Sequence, residues 1–344
     1  MPEQPDAPPD RPILLVGCPR SGTTLLSVIL HAHPRIAMPP ETRFLFPVYQ
    51  RRNFFGDLTD PRNRRRLGRR ITGRRTRFRQ FGLDRGKIVK RITNGPPTIG
   101  SAMAIVWSEY ARSRGKQRWG EKRPLYWQQM DWLLRLFPDA QVIHLIRDPR
   151  ACVASLLDVH WWHGGFYDAV TTWVMSDREL RAFGRRAAPG SYYPMRYEDL
   201  LAEPGAELRK LCDFLGEDFD EAMLEFAGAS HDIVPERKVW HSLTHEPLDA
   251  SRGERWRTRL RSDQVALIEV VADEQLRAHG YQRSTSDAPP IAMRLRYAAE
   301  YARRYASVHG ARAADRVQQR FERQDVAARP EAVAVRPKRR RAAR

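Results

Sequence analysis

The segment that most constrains the fold lies near the start of the chain. An apolar run from Pro12 to Val16 leads into Gly17-Cys18-Pro19-Arg20-Ser21-Gly22-Thr23-Thr24, and an apolar periodic stretch follows from Leu25 to Leu30. This order reads as strand, glycine-containing turn and helix. A helix that opens on such a turn presents unpaired backbone amides and the positive end of its dipole, so the loop is suited to hold an anion. The spacing follows the nucleotide-binding pattern G-x-x-x-x-G-K-[ST], except that Thr23 stands in the Lys position. Without that Lys, a conventional ATP or GTP hydrolysis site lacks the cation that reaches the terminal phosphates, whereas Arg20 offers a cation from another point of the loop. The plainer reading is an ordinary strand-to-helix turn. The strand before it and the helix after it favour anion binding.

The same alternation runs on down the chain. Gln141 to Ile146 is the strongest strand, bounded by Pro138-Asp139 and by Arg147-Asp148-Pro149, and Arg118 to Glu121 and Tyr192 to Tyr197 are further strands. Helical patterns separate them, at Ile99 to Ala111, Tyr126 to Phe137, Ala151 to Asp158, Ala169 to Phe183 and Pro204 to Leu215. Parallel neighbours need crossover helices, so the expected fold is α/β, a P-loop NTPase-like parallel sheet flanked by helices. Beyond it, Gln264 to His279 is helical. A long pattern from Met293 to about Gln324, with a stripe of Leu295, Tyr297, Tyr301 and Tyr305, predicts an appended C-terminal helix. The expected organisation is a flexible lead (1–11), a main domain (12–285) carrying a basic helical insertion (51–91), a helical extension (291–325) and a basic disordered tail (329–344).

Pro19-Arg20-Ser21-Gly22-Thr23-Thr24 resembles the 5′-phosphosulfate loop of sulfotransferases that use 3′-phosphoadenosine 5′-phosphosulfate (PAPS). Arg147 at a strand end and Ser155 on the following helix are similar to the 3′-phosphate motif of that family. Weaker likenesses extend the resemblance over about Pro12 to Tyr281: Gly120-Glu121-Lys122-Arg123-Pro124, Arg196-Tyr197-Glu198-Asp199-Leu200, and Gly253-Glu254-Arg255-Trp256-Arg257, the last resembling a segment that closes over the nucleotide. The resemblance implies that Pro19, Arg20, Ser21, Gly22, Thr23, Thr24, Arg147, Ser155, Arg255 and Trp256 bind PAPS as co-substrate, with no metal. It also implies an acceptor of carbohydrate, lipid, peptide or other small-molecule type.

Sulfuryl transfer requires that charge growing on the departing nucleotide be neutralised and that the acceptor lose a proton. Arg20, Lys122 and the amides of Ser21 to Thr24 are the candidates for the first task. For the second, the cytosolic branch of the family uses a His that Lys122-Arg123-Pro124 lacks. Pro39-Pro40-Glu41-Thr42-Arg43 instead resembles the G-E-E-T-R segment of the tyrosylprotein-type branch, which implies Glu41 as general base, with Arg43 orienting Glu41 or the substrate. The plainer reading of Glu41 is a helix cap after the double proline. His160 and His163 flank two tryptophans, better suited to an aromatic patch than to a metal; His144 reads as a core histidine, and Cys18 sits where a thiolate would be favoured.

Charge narrows the partners. The net +19 is concentrated: Arg51 to Arg91 holds 16 basic and 3 acidic residues, and Arg329 to Arg344 holds 7 and 1, which leaves the remainder neutral. A chain basic throughout, of histone type, is excluded. The insertion lies where a sulfotransferase places acceptor-binding structure. A solvated face or attraction to an anionic membrane suits it better than nucleic acid, since no nucleic-acid fold or stacking pattern accompanies the charge. Three cysteines and the absence of a signal-like start predict a cytoplasmic protein, with peripheral attachment to a membrane as the alternative. Two rivals stand beside sulfuryl transfer: a P-loop kinase using Asp148 for magnesium, and a non-catalytic basic protein that binds membranes or polyanions.

Overall fold

A computed structural model describes residues 11–229, 250–322 and 324–335. Five parallel strands form the sheet in the order β2-β3-β1-β4-β5, with β1 Ile13–Gly17, β2 Ile36–Ala37, β3 Arg118–Lys122, β4 Gln141–Ile146 and β5 Tyr192–Arg196. The first helices are α1 Thr23–Ala32, α2 Leu45–Tyr49, α3 Pro61–Ile71, α4 Arg85–Thr93, α5 Ile99–Ser113, α6 Met130–Leu136 and α7 Pro149–Leu157. After them come α8 Phe166–Gly184, α9 Tyr197–Ala202, α10 Pro204–Leu215, α11 Ser262–Val271, α12 Asp273–Ala278, α13 Ile291–Gln319 and α14 Pro330–Val333.

The central strand shows why its sequence is continuously apolar. Leu14 and Val16 enter the core on one face of the sheet, while Ile13 and Leu15 enter the core on the other, and all four are fully buried. β1 pairs with β4 in register from Ile13 opposite Gln141 to Gly17 opposite Leu145. On its other side, Leu15 lies opposite Lys122 of β3. The turn after β1, the residues after β4 and the end of β3 therefore leave the sheet at one edge, the C-terminal edge where ligands of open parallel sheets bind.

The four expected strands are present to within a residue at each end. β2, only two residues long, carries no periodic signal and was not expected. The helix expected at 126–137 begins as a tighter 3₁₀ turn over Pro124–Gln129, and the one expected at 264–279 is two helices that meet at Ala272.

The basic insertion is folded into the core. Asp60 and Asp84 cap α3 and α4 by accepting from the amides of Arg62 and Lys87, while Leu67, Ile71, Ile88 and Ile92 turn inward and the arginines outward. Phe78 and Phe81 are buried with their rings stacked, so neither is a surface stacking platform.

The C-terminal extension is likewise integrated rather than appended. From α13, Arg304 pairs with Asp168 and Arg312 Nη1 with Glu179 Oε2 at 2.6 Å, both on α8. Arg52 of the insertion, 2% exposed, is held by Asp315 Oδ1 at 2.7 Å and by Glu322, which also holds Arg135. The chain then returns across α5. The Gly100 amide donates to the Val326 carbonyl at 2.8 Å, and a Cβ on Gly100 would lie 2.5 Å from the Ala328 nitrogen, so only glycine permits the approach. Ser108 Oγ donates to the Ala332 carbonyl at 2.7 Å, and Trp119 Nε1 to the Val333 carbonyl at 3.0 Å. Residues 329–335, expected within a disordered tail, are thus ordered and docked, because Ala332 and Val335 are buried against α5. The rest of that tail, 336–344, and residues 1–10 of the lead lie outside the described residues.

Removing one partner of a buried ion pair leaves the others charged and unpaired. Arg52→Ala is expected to lower unfolding free energy by about 3–5 kcal/mol in urea titration. Arg75→Ala, on the exposed face of the insertion, is expected to change it by less than about 0.5 kcal/mol.

Candidate active site

The anion loop is held in an uncommon backbone shape. Gly22 has φ 94°, and a Cβ there would lie 2.5 Å from the ring of Tyr197, which packs beneath the turn. Arg20 is one of two non-glycine residues with positive φ among the described residues, at 74°. That conformation is costly and needs support. It is supported from the neighbouring strand: Arg147 Nη1 donates to the Arg20 carbonyl at 3.0 Å, and Arg20 Nε donates to Ser155 Oγ at 3.0 Å. No side chain caps the start of α1, so its first amides face the space above the loop.

Arg20, Arg147 and Ser155 therefore form one group, although they lie far apart in sequence. The Arg147 guanidinium lies 4.7 Å from the centre of the Tyr197 ring. Burial, and then the neighbouring charge of Arg147, hold the Arg20 guanidinium below its usual range. Two like charges held side by side with hydroxyl and amide donors favour an anion between them. These residues fit the 3′- and 5′-phosphates that the sequence resemblance implies.

A second group faces the first across the loop. Lys122, nearly buried at the end of β3, donates from Nζ to Glu41 Oε1 at 3.1 Å and lies 3.3 Å from Thr24 Oγ1. Glu41 Oε2 lies 3.8 Å from Arg77 Nη1. Glu41 thus has Arg77, from the basic insertion, as a cation beside it in addition to Lys122. Arg43 is exposed, and its backbone amide donates to the Thr76 carbonyl at 3.2 Å. Arg77 shares the left-handed conformation of Arg20, with φ 63°, and its guanidinium is held below its usual range by burial and then by Arg43.

Sequence reasoning missed Glu121, which is fully buried next to Lys122. Its Oε1 accepts from Thr42 Oγ1 at 2.7 Å and from Tyr126 OH at 3.0 Å, while Oε2 has no hydrogen-bonding partner among the described residues. Glu121 thus ties the residue after Glu41 to the residue before Lys122. Burial raises its pKa to about 7, against the hydrogen bonds from Thr42 and Tyr126, with the charge of Glu41 adding to the rise. The available signal was a charged residue inside a strand with no room for a charge.

Other candidates fall elsewhere. Trp256 is buried in the cluster that contains Cys18 of the anion loop and Cys152 of α7, with the Arg150 and Arg257 guanidinium groups 4.4 and 4.5 Å from its ring, and Arg255 is exposed. Asp148 accepts from the Arg150 amide at 2.8 Å and from Arg150 Nη2 at 2.6 Å, which commits its oxygens to capping α7 and to an ion pair. Glu198 accepts from the Asp148 amide at 3.0 Å and from Tyr281 OH at 2.6 Å, a tie between strand end and late chain rather than a simple helix charge. His144 contacts Tyr192 OH at 2.8 Å, and burial lowers its pKa to about 4, as suits a core histidine. His160 and His163 are exposed on a turn rather than on a helix. Burial pushes the Cys18 thiol up, so no reactive thiolate is favoured there.

Glu121 makes stability depend on pH in a predictable direction. Its folded-state pKa lies above the unfolded value, so the folded state holds a proton that the unfolded chain releases. The contribution is complete below about pH 4.5 and is lost as pH rises towards 7. Relative to Glu121→Gln, the wild type is expected to lose up to about 3 kcal/mol between pH 5 and 8 in urea titrations. A constant difference across that range would show that Glu121 does not titrate there.

With this geometry in place, comparison with known proteins is informative. The sequence matches the model of the sulfotransferase family over residues 12–221. It is 26% identical over 303 residues to nodulation protein NoeE of Sinorhizobium fredii, covering 80% of this chain and 67% of that one. It is 25% identical over 272 residues to the protein-tyrosine sulfotransferase of Drosophila melanogaster, covering 76% of this chain and 50% of the relative. The chain thus spans between half and two thirds of the length of these relatives. The sulfotransferase domain of the Synechococcus PCC 7002 olefin synthase superposes with a TM-score of 0.58 at 25% identity, over 81% of this chain and 98% of that domain. Phosphate loop, strand-end arginine and parallel sheet agree with the match, and the chain belongs to the sulfotransferase family.

Proposed function

We propose that the protein transfers a sulfuryl group from PAPS to a hydroxyl or amine acceptor, without metal, with Glu41 as general base. The observation that carries this reading is the position of Lys122, in contact with both Thr24 of the anion loop and Glu41. Arg147 and Ser155 hold the 3′-phosphate, and Arg20 with the amides of Gly22 to Thr24 holds the 5′-phosphosulfate, while the Ser21 amide closes the turn on the Cys18 carbonyl at 3.1 Å. In the reaction the sulfur–oxygen bond to the 5′-phosphate breaks as a bond forms from sulfur to the acceptor, the acceptor proton passes to a Glu41 carboxylate oxygen, and adenosine 3′,5′-bisphosphate departs. Once Glu41 is neutral its hold on Lys122 weakens, and the ammonium is free to follow the charge growing on the leaving phosphate. Arg255 and Trp256 complete the nucleotide site in this reading, Trp256 sharing a buried cluster with Cys18 of the loop.

Occupation of Asp148 by Arg150 counts against the kinase reading. The acceptor is an organic hydroxyl or amine, of carbohydrate, lipid, peptide or smaller type. A reducing, cytoplasmic compartment is supported by Cys18, Cys152 and Cys212, all buried free thiols. No helix among the described residues is long and apolar enough to cross a membrane.

Transfer of labelled sulfate from PAPS to a panel of acceptors, in chelator, tests the proposal. Glu41→Gln is expected to reduce turnover by about 100-fold or more while leaving affinity for adenosine 3′,5′-bisphosphate within about twofold. Full turnover by Glu41→Gln would remove Glu41 as base.

A further inference from the structure

Two successive residues of β3 grip two successive residues of the segment that carries Glu41. Side chains alternate across a strand, so positions 121 and 122 leave the sheet on opposite faces. The register identifies those faces: Glu121 lies opposite Leu14, which enters one core, and Lys122 lies opposite Leu15, which enters the other. From the Leu14 face, Glu121 Oε1 accepts from Thr42 Oγ1 at 2.7 Å and from the Thr42 amide at 3.4 Å. From the Leu15 face, Lys122 Nζ donates to Glu41 Oε1 at 3.1 Å. Residues 41 and 42 are thus clamped across the edge of the sheet, and the hold on Thr42 helps to set where the Glu41 carboxylate stands.

A buried carboxyl is a costly holder for a threonine. Glu121 is fully buried, and its Oε2 has no hydrogen-bonding partner among the described residues. Leaving such an atom bare costs about 1–3 kcal/mol, and an uncharged acceptor would serve the Thr42 hydroxyl without that charge to desolvate. What a carboxyl adds is a negative charge close to Glu41. The groups around it are few. Tyr126 OH donates to Oε1 at 3.0 Å, and burial raises the Tyr126 pKa, which keeps it a neutral donor. Glu41 is the acid whose charge acts on Glu121. The Arg123 guanidinium lies 5.8 Å from the centre of the Tyr126 ring, and Arg77 lies 3.8 Å from Glu41. A second negative charge behind Glu41 makes proton uptake by Glu41 easier, because like charges disfavour the doubly ionised pair. Ionisation of Glu121 also strengthens its bond from Thr42, since charged acceptors hold donors more tightly. Both effects favour the reaction.

We propose that Glu121 is a positioning residue of the sulfuryl transfer: through Thr42 it holds Glu41 at Lys122, and its negative charge behind Glu41 strengthens that base. The inference rests on the assignment of Glu41 as general base. No proton passes through Glu121, and the acceptor proton still goes to Glu41. The consequence is a rate that climbs as Glu121 loses its proton around pH 7, over the range in which the same ionisation lowers stability.

Transfer of labelled sulfate from PAPS to 4-nitrophenol, followed from pH 5.5 to 8.5, tests it with the wild type, Glu121→Gln and Thr42→Val. Taking the ratio of wild-type to Glu121→Gln kcat cancels the titrations common to both. That ratio is expected to rise by about tenfold between the two ends of the range. Thr42→Val is expected to lower kcat by about tenfold at every pH, with affinity for adenosine 3′,5′-bisphosphate within about twofold, whereas misfolding would take that binding with it. A ratio that stays constant with pH, or full turnover by Thr42→Val, would overturn the proposal. Carbon-13 NMR of the glutamate carboxyls gives a second reading that needs no acceptor. The Glu121 signal is assigned by its absence in Glu121→Gln, and its titration midpoint is expected to fall by about half a pH unit or more in Glu41→Gln. An unmoved midpoint would show the two carboxyls to be uncoupled and would also sink it. Glu41→Gln in the transfer assay separates this failure from failure of the underlying reading, because full turnover there removes the base itself whatever Glu121 does.

Discussion

The hydrogen bond from Arg147 to the carbonyl of Arg20 joins the ends of two neighbouring strands, and the site depends on it. It exists because β1 and β4 pair in register, which brings the turn after one beside the first residues after the other. The same bond supports a left-handed arginine that would otherwise be unfavourable. Tyr197 completes the support, packed under Gly22 on one side and against Arg147 on the other. A loop, a strand end and the start of α9 are thus tied into one cradle that holds two arginines side by side. Glu121 and Thr42 do comparable work on the opposite side, holding the Glu41 segment against the end of β3.

Much of this was legible in the sequence for physical reasons. Continuous apolar runs such as Ile13 to Val16 report strands buried on both faces, and the glycine spacing of the loop reports backbone demands that no other residue meets as well. Glu41, Lys122, Arg20, Arg147 and Ser155 do converge at one sheet edge. Three things were not legible. β2 is too short to have a period. The role of Arg77 rests on a tertiary contact across the insertion, which sequence spacing cannot express. Glu121 was hidden because a strand carboxylate ordinarily faces water, and only the closed packing of Thr42 and Tyr126 around it shows that it does not. The docking of 329–335 was hidden for a related reason: a basic, alanine-rich composition looks unstructured until a glycine at position 100 lets the backbone pass.

The charge excess also acquires a structure. Arg52 is spent inside the protein as the counter-ion of Asp315 and Glu322, and Arg77 faces the site, so the basic insertion is neither uniformly solvated nor uniformly functional. The site needs few cations, each placed by backbone geometry, and the excess belongs to a different surface.

The central claim is that the cradle is built for a nucleotide carrying phosphates at both the 3′ and 5′ positions, without magnesium. Calorimetric titration of adenosine 3′,5′-bisphosphate, with magnesium and with chelator, is the most direct test. Equal affinity in both conditions is predicted, together with a loss of tenfold or more in Arg147→Ala and much weaker binding of adenosine 5′-monophosphate. Magnesium-dependent binding of ATP, with no binding of the bisphosphate, would contradict it.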